Sequence, residues 1–231
     1  TLNMNTSSPV YLFSDSQLLF WKSDGICFLN SITEGLEKDS LKAAYIGASN
    51  GDLPEFYDLF VAAMENIGIR NCRMIRSTFS KEDQDFLETA DIVLLSGGDV
   101  ERGWNIFEAT GLKKAISRKY EEGTILIGIS AGAMQLGLCG YRDEEVQEEQ
   151  VFDTFQFIPY IIGVHEEKSD WETLSKIILT KKGYVNGIGI PTGGGMIYHA
   201  DKTVEPIRFP LYEISIKDNH TIQNLLMPDL K

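Results

Sequence analysis

Ser130 stands between two glycines in Gly128-Ile129-Ser130-Ala131-Gly132, at the end of the apolar run Thr124-Ile-Leu-Ile. An apolar run of this kind reads as a buried strand, and the small residues after it read as a sharp turn into a helix. A serine on such a corner has its hydroxyl presented to a ligand, and the free N–H groups of the following helix face the same spot. A hydroxyl is a weak nucleophile until a neighbouring base takes its proton, so a histidine is required. His165 directly follows the apolar segment Phe155-Gln-Phe-Ile-Pro-Tyr-Ile-Ile-Gly-Val164 and is the candidate base. His199, in a late strand, reads equally well as a structural residue, and His220 falls in a polar C-terminal turn. Asp143, Glu144, Glu145, Glu148, Glu149 and Asp153 all lie between Ser130 and His165, which leaves the order serine, acid, histidine open for a carboxylate that orients the imidazole. Backbone N–H groups of Ala131 and Gly98 are the candidate oxyanion donors, with Gly97 and Asp99 beside them as candidate substrate contacts.

Those residues need a scaffold that brings strand ends together. Pro9-Val-Tyr-Leu-Phe13, Lys42-Ala-Ala-Tyr-Ile-Gly47, Arg73-Met-Ile-Arg76 and Asp91-Ile-Val-Leu-Leu95 read as strands. Between them lie helical stretches: Ile26 to Leu36, Glu55 to Ile67 behind Pro54, one capped by Ser80, and Val100 to Tyr120. The alternation predicts βαβ units and a mostly parallel sheet covered on both faces, with ligands gathering at the C-terminal strand ends where Ser96 to Asp99 and Ser130 fall. Beyond a charged stretch from Arg142 to Gln150, the segment ending at Val164 reads as a strand that Pro159 places near an edge, and Trp171 to Leu179 as a helix. Gly187–Ile190, Met196–His199, Val204–Phe209 and Leu211–Ile216 read as short strands, expected as an antiparallel addition to one sheet edge.

The 231 residues suit one α/β domain spanning the chain, and 43% hydrophobic with 24% charged residues are globular proportions. A net charge of −13 repels phosphate backbones and anionic lipid, so neither nucleic acid nor membrane is an expected partner. Cys27, Cys72 and Cys139 are scattered, without the spacing of a disulfide framework or a zinc site; no metal and no cofactor is expected, and the setting is expected to be cytoplasmic.

Ile129-Ser130-Ala131-Gly132-Ala133, Ser96-Gly-Gly-Asp99, Phe157-Ile-Pro-Tyr-Ile-Ile-Gly-Val-His165 and Gly187-Ile-Gly-Ile190 together resemble peptidase family S51, which contains aspartyl dipeptidase (peptidase E) and cyanophycinase. The resemblance runs from about residue 40 to residue 200. It implies a three-layer α/β/α, flavodoxin-like fold related to class I glutamine amidotransferases, with serine in place of their cysteine. It also implies a metal-independent hydrolase in which Ser130 is the nucleophile, His165 the base, Glu145 the acid, and Gly98 and Ala131 the oxyanion donors. Glu144 and Glu148 are the neighbouring alternatives for the acid.

The chain departs from the family in the surroundings of the histidine. Relatives commonly have an arginine soon after it that reads an acidic substrate side chain; here Glu166-Glu-Lys-Ser-Asp-Trp-Glu-Thr-Leu174 follows, with Leu174 near the arginine's place. A pocket without its guanidinium loses charge and bidentate geometry, Lys168 could replace it only loosely, and Glu166 and Glu167 would oppose an acidic substrate. Pro191-Thr-Gly-Gly-Gly195 stands where some relatives carry an acidic pair. The expected function is hydrolysis of short peptides or peptide-like amides through an acyl-enzyme, with a small peptide-like substrate as partner and a homodimer as an open option. The alternative is a family member that has lost turnover and acts in binding or regulation. A glutamine-amidotransferase-like partner domain is disfavoured by the serine at the elbow.

Overall fold

A computed structural model of the chain describes residues 8–142, 147–182 and 184–229. Its main sheet has seven strands in the order Val204–Ile207, Gly195–Tyr198, Val10–Phe13, Ile125–Ile129, Ile92–Leu95, Lys42–Ile46, Asn71–Ile75. The last five of these run parallel to one another; Gly195–Tyr198 joins Val10–Phe13 antiparallel, and Val204–Ile207 extends that edge antiparallel again. The fold is therefore mixed α/β around a largely parallel sheet, as the alternation of apolar runs and helical stretches requires.

Each central strand feeds two cores by simple alternation. Val10, Leu12, Ala44, Ile46, Val93, Leu95 and Leu126 face one side, with Leu87, Trp104, Phe107, Leu112 and Ile116 from helices packed over them. Tyr11, Phe13, Ala43, Tyr45, Ile92, Leu94, Ile127 and Ile129 face the other, covered by Phe60, Ala63 and Met64 of the helix Pro54–Asn66. With both faces buried, neither set of positions is free to be polar, which is why these strands read as continuous apolar runs. The helical stretch after Asp99 is two helices, Val100–Thr110 and Leu112–Glu121, broken where Gly111 takes a left-handed conformation (φ 85°).

The C-terminal third differs from the expected edge extension. Only Gly195–Tyr198 and Val204–Ile207 join the main sheet. Gly187–Ile190 pairs parallel with Ile161–Val164 and antiparallel with Leu211–Lys217, and His220–Leu226 completes a separate four-stranded sheet. The reason is burial on two sides: Ile188, Ile190, Ile162 and Val164 belong to the main core, while Ile161 and Ile214 pack with Trp171, Leu174, Ile177 and Ile178 around the helix Glu172–Thr180. A strand at an exposed edge of the main sheet could not be covered twice. Near the N-terminus, the stretch expected as one long helix is a small hairpin, Lys22–Ser23 with Ile26–Cys27, followed by the short helix Phe28–Ile32. His220 begins a strand and is exposed.

Candidate functional site

The strand Ile125–Ile129 runs straight into the helix Ala131–Leu136, and Ser130 is the single residue between them. It turns the chain with φ 51° and ψ −111°, a conformation that L-residues adopt only when their surroundings enforce it, at a cost of about 1–3 kcal/mol. Two contacts enforce it. The Ser130 N–H donates to the Phe13 carbonyl at 2.9 Å, which fixes the entry from the neighbouring strand. Behind it, the helix backbone lies so close to the strand Ile92–Leu95 that a Cβ on Gly132 would meet the Leu95 carbonyl oxygen at 2.2 Å. Glycine there is a steric requirement of the corner.

The loop after Ile92–Leu95 brings Gly97 and Gly98 alongside. Gly98 has φ 131°, and a Cβ on it would lie 2.2 Å from the Ser49 carbonyl oxygen. Asp99 donates its N–H to that same carbonyl at 2.8 Å. Among the described residues no acceptor takes the Gly98 N–H, and the Ala131 N–H is the first of the elbow helix. The Asp99 carboxylate accepts from the Arg102 N–H at 2.7 Å as the cap of the helix Val100–Thr110, so its side chain serves the scaffold.

A residue that the sequence did not single out holds this loop in register. Gln135, fully buried in the elbow helix, donates its amide to the Ser49 hydroxyl at 3.0 Å and to the Val100 carbonyl at 3.1 Å. It ties the serine corner to both walls of the Gly97-Gly98 turn. The signal available in the sequence was one amide among the small and apolar residues Ala131 to Leu136.

His165 arrives from the second sheet. The strand Ile161–Val164 packs against the elbow helix, the His165 N–H donates to the Ile190 carbonyl at 2.9 Å, and His165 itself sits at φ 42°. Its Nε2 and the Ser130 Oγ are 3.1 Å apart, within hydrogen-bond distance, although the residues are 35 positions apart in the chain. His199 instead pairs with Glu205 at 2.7 Å, away from the serine.

The carboxylates divide sharply. Glu144 and Glu145 lie outside the described residues, and Glu148 is exposed in the short turn Glu148–Gln150. Glu166 is spent on the fold: its two oxygens accept from the Thr173 N–H at 2.6 Å and the Leu174 N–H at 3.2 Å, capping the helix Glu172–Thr180. Glu167 accepts from the Thr192 N–H at 3.3 Å through one oxygen, while the other is buried without a hydrogen-bond partner. Burial would raise the Glu167 carboxyl, but the Thr192 contacts, with a smaller contribution from the charge of His165, hold it below the ordinary carboxylate value.

Ser130 and His165 open onto a cavity of about 520 Å³, also lined by Gly98, Ala131, Tyr141 and Leu174. Among the described residues that line it, the lysine is Lys176, 2.7 Å from Glu172; Lys168 is not one of them. Among the described residues no group of three or more His, Cys, Asp or Glu side chains could hold a metal ion. No helix among them is long and apolar enough to cross a membrane.

A largely parallel α/β sheet with a serine on a strained strand-to-helix corner and a histidine delivered to it defines the class of elbow-type hydrolase folds. The chain belongs to peptidase family S51: the family model matches residues 23–206. The structure is similar to that of a peptidase from an acI-B1 Actinobacterium, with a TM-score of 0.67 at 16% identity, covering 96% of this chain and 100% of that one. It is also similar to a putative peptidase E protein from Listeria monocytogenes EGD-e, with a TM-score of 0.60 at 17% identity, covering 95% and 98% of the two chains. No curated protein matches the chain. Family membership supports a peptidase, and so a hydrolase.

Proposed function

We propose that the protein hydrolyses short peptides or peptide-like amides by a serine mechanism. The observation that carries this reading is the 3.1 Å approach of Ser130 Oγ to His165 Nε2. Ser130 Oγ attacks the amide carbonyl carbon as its proton passes to His165 Nε2; the developing oxyanion is met by the N–H groups of Gly98 and Ala131. The C–N bond then breaks, the proton moves from His165 to the leaving amine, and Ser130 is left acylated. Water takes the reverse proton path, restores the serine hydroxyl and releases the acid. Glu145 is the acid by resemblance to the family. Glu167, two residues beyond His165 and with one oxygen buried without a hydrogen-bond partner, is a second candidate.

Aspartyl specificity does not follow. Leu174, at the place of the arginine in relatives, is 1% exposed and packed with Trp171, Ile177 and Ile178, and Lys176, which lines the cavity, already has a carboxylate at 2.7 Å. The test is hydrolysis of a broad dipeptide and β-linked peptide library at pH 7 to 8 by wild type and Ser130→Ala. Cleavage by wild type alone upholds the reading. Equal activity of the two proteins overturns it, and no cleavage by folded wild-type protein moves the assignment to binding.

A further inference from the structure

Two cavities, of about 520 and 260 Å³, meet at Ser130, and Gly98 lines both. The backbone that carries the Gly98 N–H therefore has open space on two sides, and what fixes it must stand behind it. Ser49 stands there. A Cβ on Gly98 would lie 2.5 Å from the Ser49 carbonyl carbon and 2.8 Å from the Asn50 nitrogen, and the Ser49 carbonyl oxygen already accepts the Asp99 N–H. Ser49 belongs to the short turn Ala48–Asn50, a different segment from the elbow helix Ala131–Leu136. Among the described residues no backbone hydrogen bond joins that helix to residues 96–99 or to Ser49.

Gln135 makes the link. It lies four positions after Ala131, about one turn along the same helix, and its amide donates both to the Ser49 hydroxyl and to the Val100 carbonyl. Two further features mark this contact as a constraint rather than as filling. The Gln135 Oε1 is buried without a hydrogen-bond partner among the described residues, which destabilises the fold and which an apolar side chain of similar length would avoid. Room for the amide comes from Gly103 in the helix Val100–Thr110, where a Cβ would meet the Ser49 Oγ at 2.1 Å and the Gln135 Nε2 at 2.6 Å. Glycine inside a helix is itself unfavourable, so the local sequence gives up stability twice to seat this amide.

We propose that Gln135 is a positioning residue of the hydrolysis, one that sets the Gly98 N–H at the place where the oxyanion forms. The inference deepens the hydrolase reading above and rests on it; it is the same whichever half of a substrate lies on either side of Ser130. Gln135 is not among the described residues that line the two cavities, so it acts through its neighbours. The amide holds Ser49, Ser49 backs Gly98, and the Gly98 N–H stays aimed with the Ala131 N–H at one point. A donor aimed at the oxyanion stabilises the transition state more than the bound substrate, so its displacement lowers kcat and leaves KM.

The test uses 4-nitrophenyl acetate, whose acyl group needs no side-chain pocket, with Ser130→Ala as the blank. Gln135→Met keeps the side-chain length and removes both hydrogen bonds. Because outright loss of an oxyanion donor lowers kcat by about 10²- to 10³-fold, its displacement should lower kcat by about 10- to 100-fold, with KM within about twofold of wild type. The acidic midpoint of the kcat/KM profile, which reports the base, should not move. Ser49→Ala should lower kcat in the same way, and the double variant should be slower than Gln135→Met by no more than about threefold, since residues joined by one hydrogen bond are coupled. Thr154→Val is the control: it removes the bond from the buried Thr154 hydroxyl to the Gly137 carbonyl (2.7 Å), at the far end of the elbow helix, and should lower the thermal midpoint with kcat unchanged. Wild-type kcat in folded Gln135→Met, a loss confined to KM, a moved midpoint, losses that multiply in the double variant, or an equal loss in Thr154→Val overturns the positioning role while the hydrolase reading stands. Should Gln135→Met not fold, Ser49→Ala decides by the same kcat and KM criteria. If wild type is no faster than Ser130→Ala and a fluorophosphonate leaves Ser130 unmodified, the hydrolase reading falls and the role of Gln135 with it.

Discussion

Ser130 and His165 both have positive φ, and each is held there by a backbone hydrogen bond to a different strand. Strain of that kind is kept where the surrounding structure fixes it, so replacing the side chains should remove chemistry without removing the corner. Ser130→Ala is expected to abolish hydrolysis with unchanged circular dichroism and thermal midpoint. His165→Ala should match that loss within about tenfold, because members of a unit are not additive; unequal losses in kcat would remove His165 from the role of base. The acid is decided by comparing Glu145→Gln with Glu167→Gln. Loss of the orienting carboxylate lowers kcat by up to about 10⁴, whereas a carboxylate that only anchors a loop changes KM and stability instead. Because the Glu167 carboxyl is lowered in the folded protein, its contribution to stability is present above the unfolded carboxylate value and is lost as pH falls through the lowered folded one. The Glu167 to Thr192 anchor is therefore intact at the neutral pH of the assay.

The elbow depends on how closely its helix approaches the neighbouring strand. Gly132→Ala forces a methyl against the Leu95 carbonyl and should lower stability by about 1–3 kcal/mol or block folding, read by urea unfolding. Wild-type stability would show that the helix can shift and that the glycine is not a steric requirement. This part of the site was legible from residue types, because Gly128 to Gly132 and Gly97-Gly98 state their backbone demands locally. The approach of His165 was legible only as a strand followed by a histidine. What seats it is a second sheet, and nothing in Gly187-Ile-Gly-Ile190 tells an edge strand from one buried on two sides until Trp171 and Leu174 are seen to cover it. In the sequence Glu166 and Glu167 stand as charges that would face a substrate. One caps a helix and the other holds the Thr192 loop, since a carboxylate's use is set by which N–H groups the fold brings to it. Leu174→Arg, which puts an arginine where the resemblance to the family implies one, should destabilise the protein rather than confer acidic specificity, because the side chain is 1% exposed and packs with Trp171, Ile177 and Ile178. A folded variant that cleaves Asp substrates would contradict that placement.

Over the whole molecule, charge and thiol chemistry narrow which reagents can report on the serine. The chain carries a net charge of −13, so anionic probes are repelled at long range, and neutral substrates are the better test of the site. A strand-to-helix corner of this kind can present a thiol as readily as a hydroxyl, which raises the question of whether any of the three cysteines could act. None lines either cavity at Ser130. Burial, reinforced by Glu65, pushes the Cys72 thiol up to about 11, and burial does the same to Cys139, also to about 11. At pH 8 both are then almost wholly protonated, and a protonated thiol is a poor nucleophile. Treatment with iodoacetamide at pH 8 should leave Cys72 and Cys139 unmodified by mass spectrometry and hydrolysis undiminished, whereas a fluorophosphonate should stop hydrolysis with a single adduct on Ser130. Inactivation that tracks alkylation of a cysteine would transfer the nucleophile's role to a thiol, and the elbow serine would then be a feature of the turn alone.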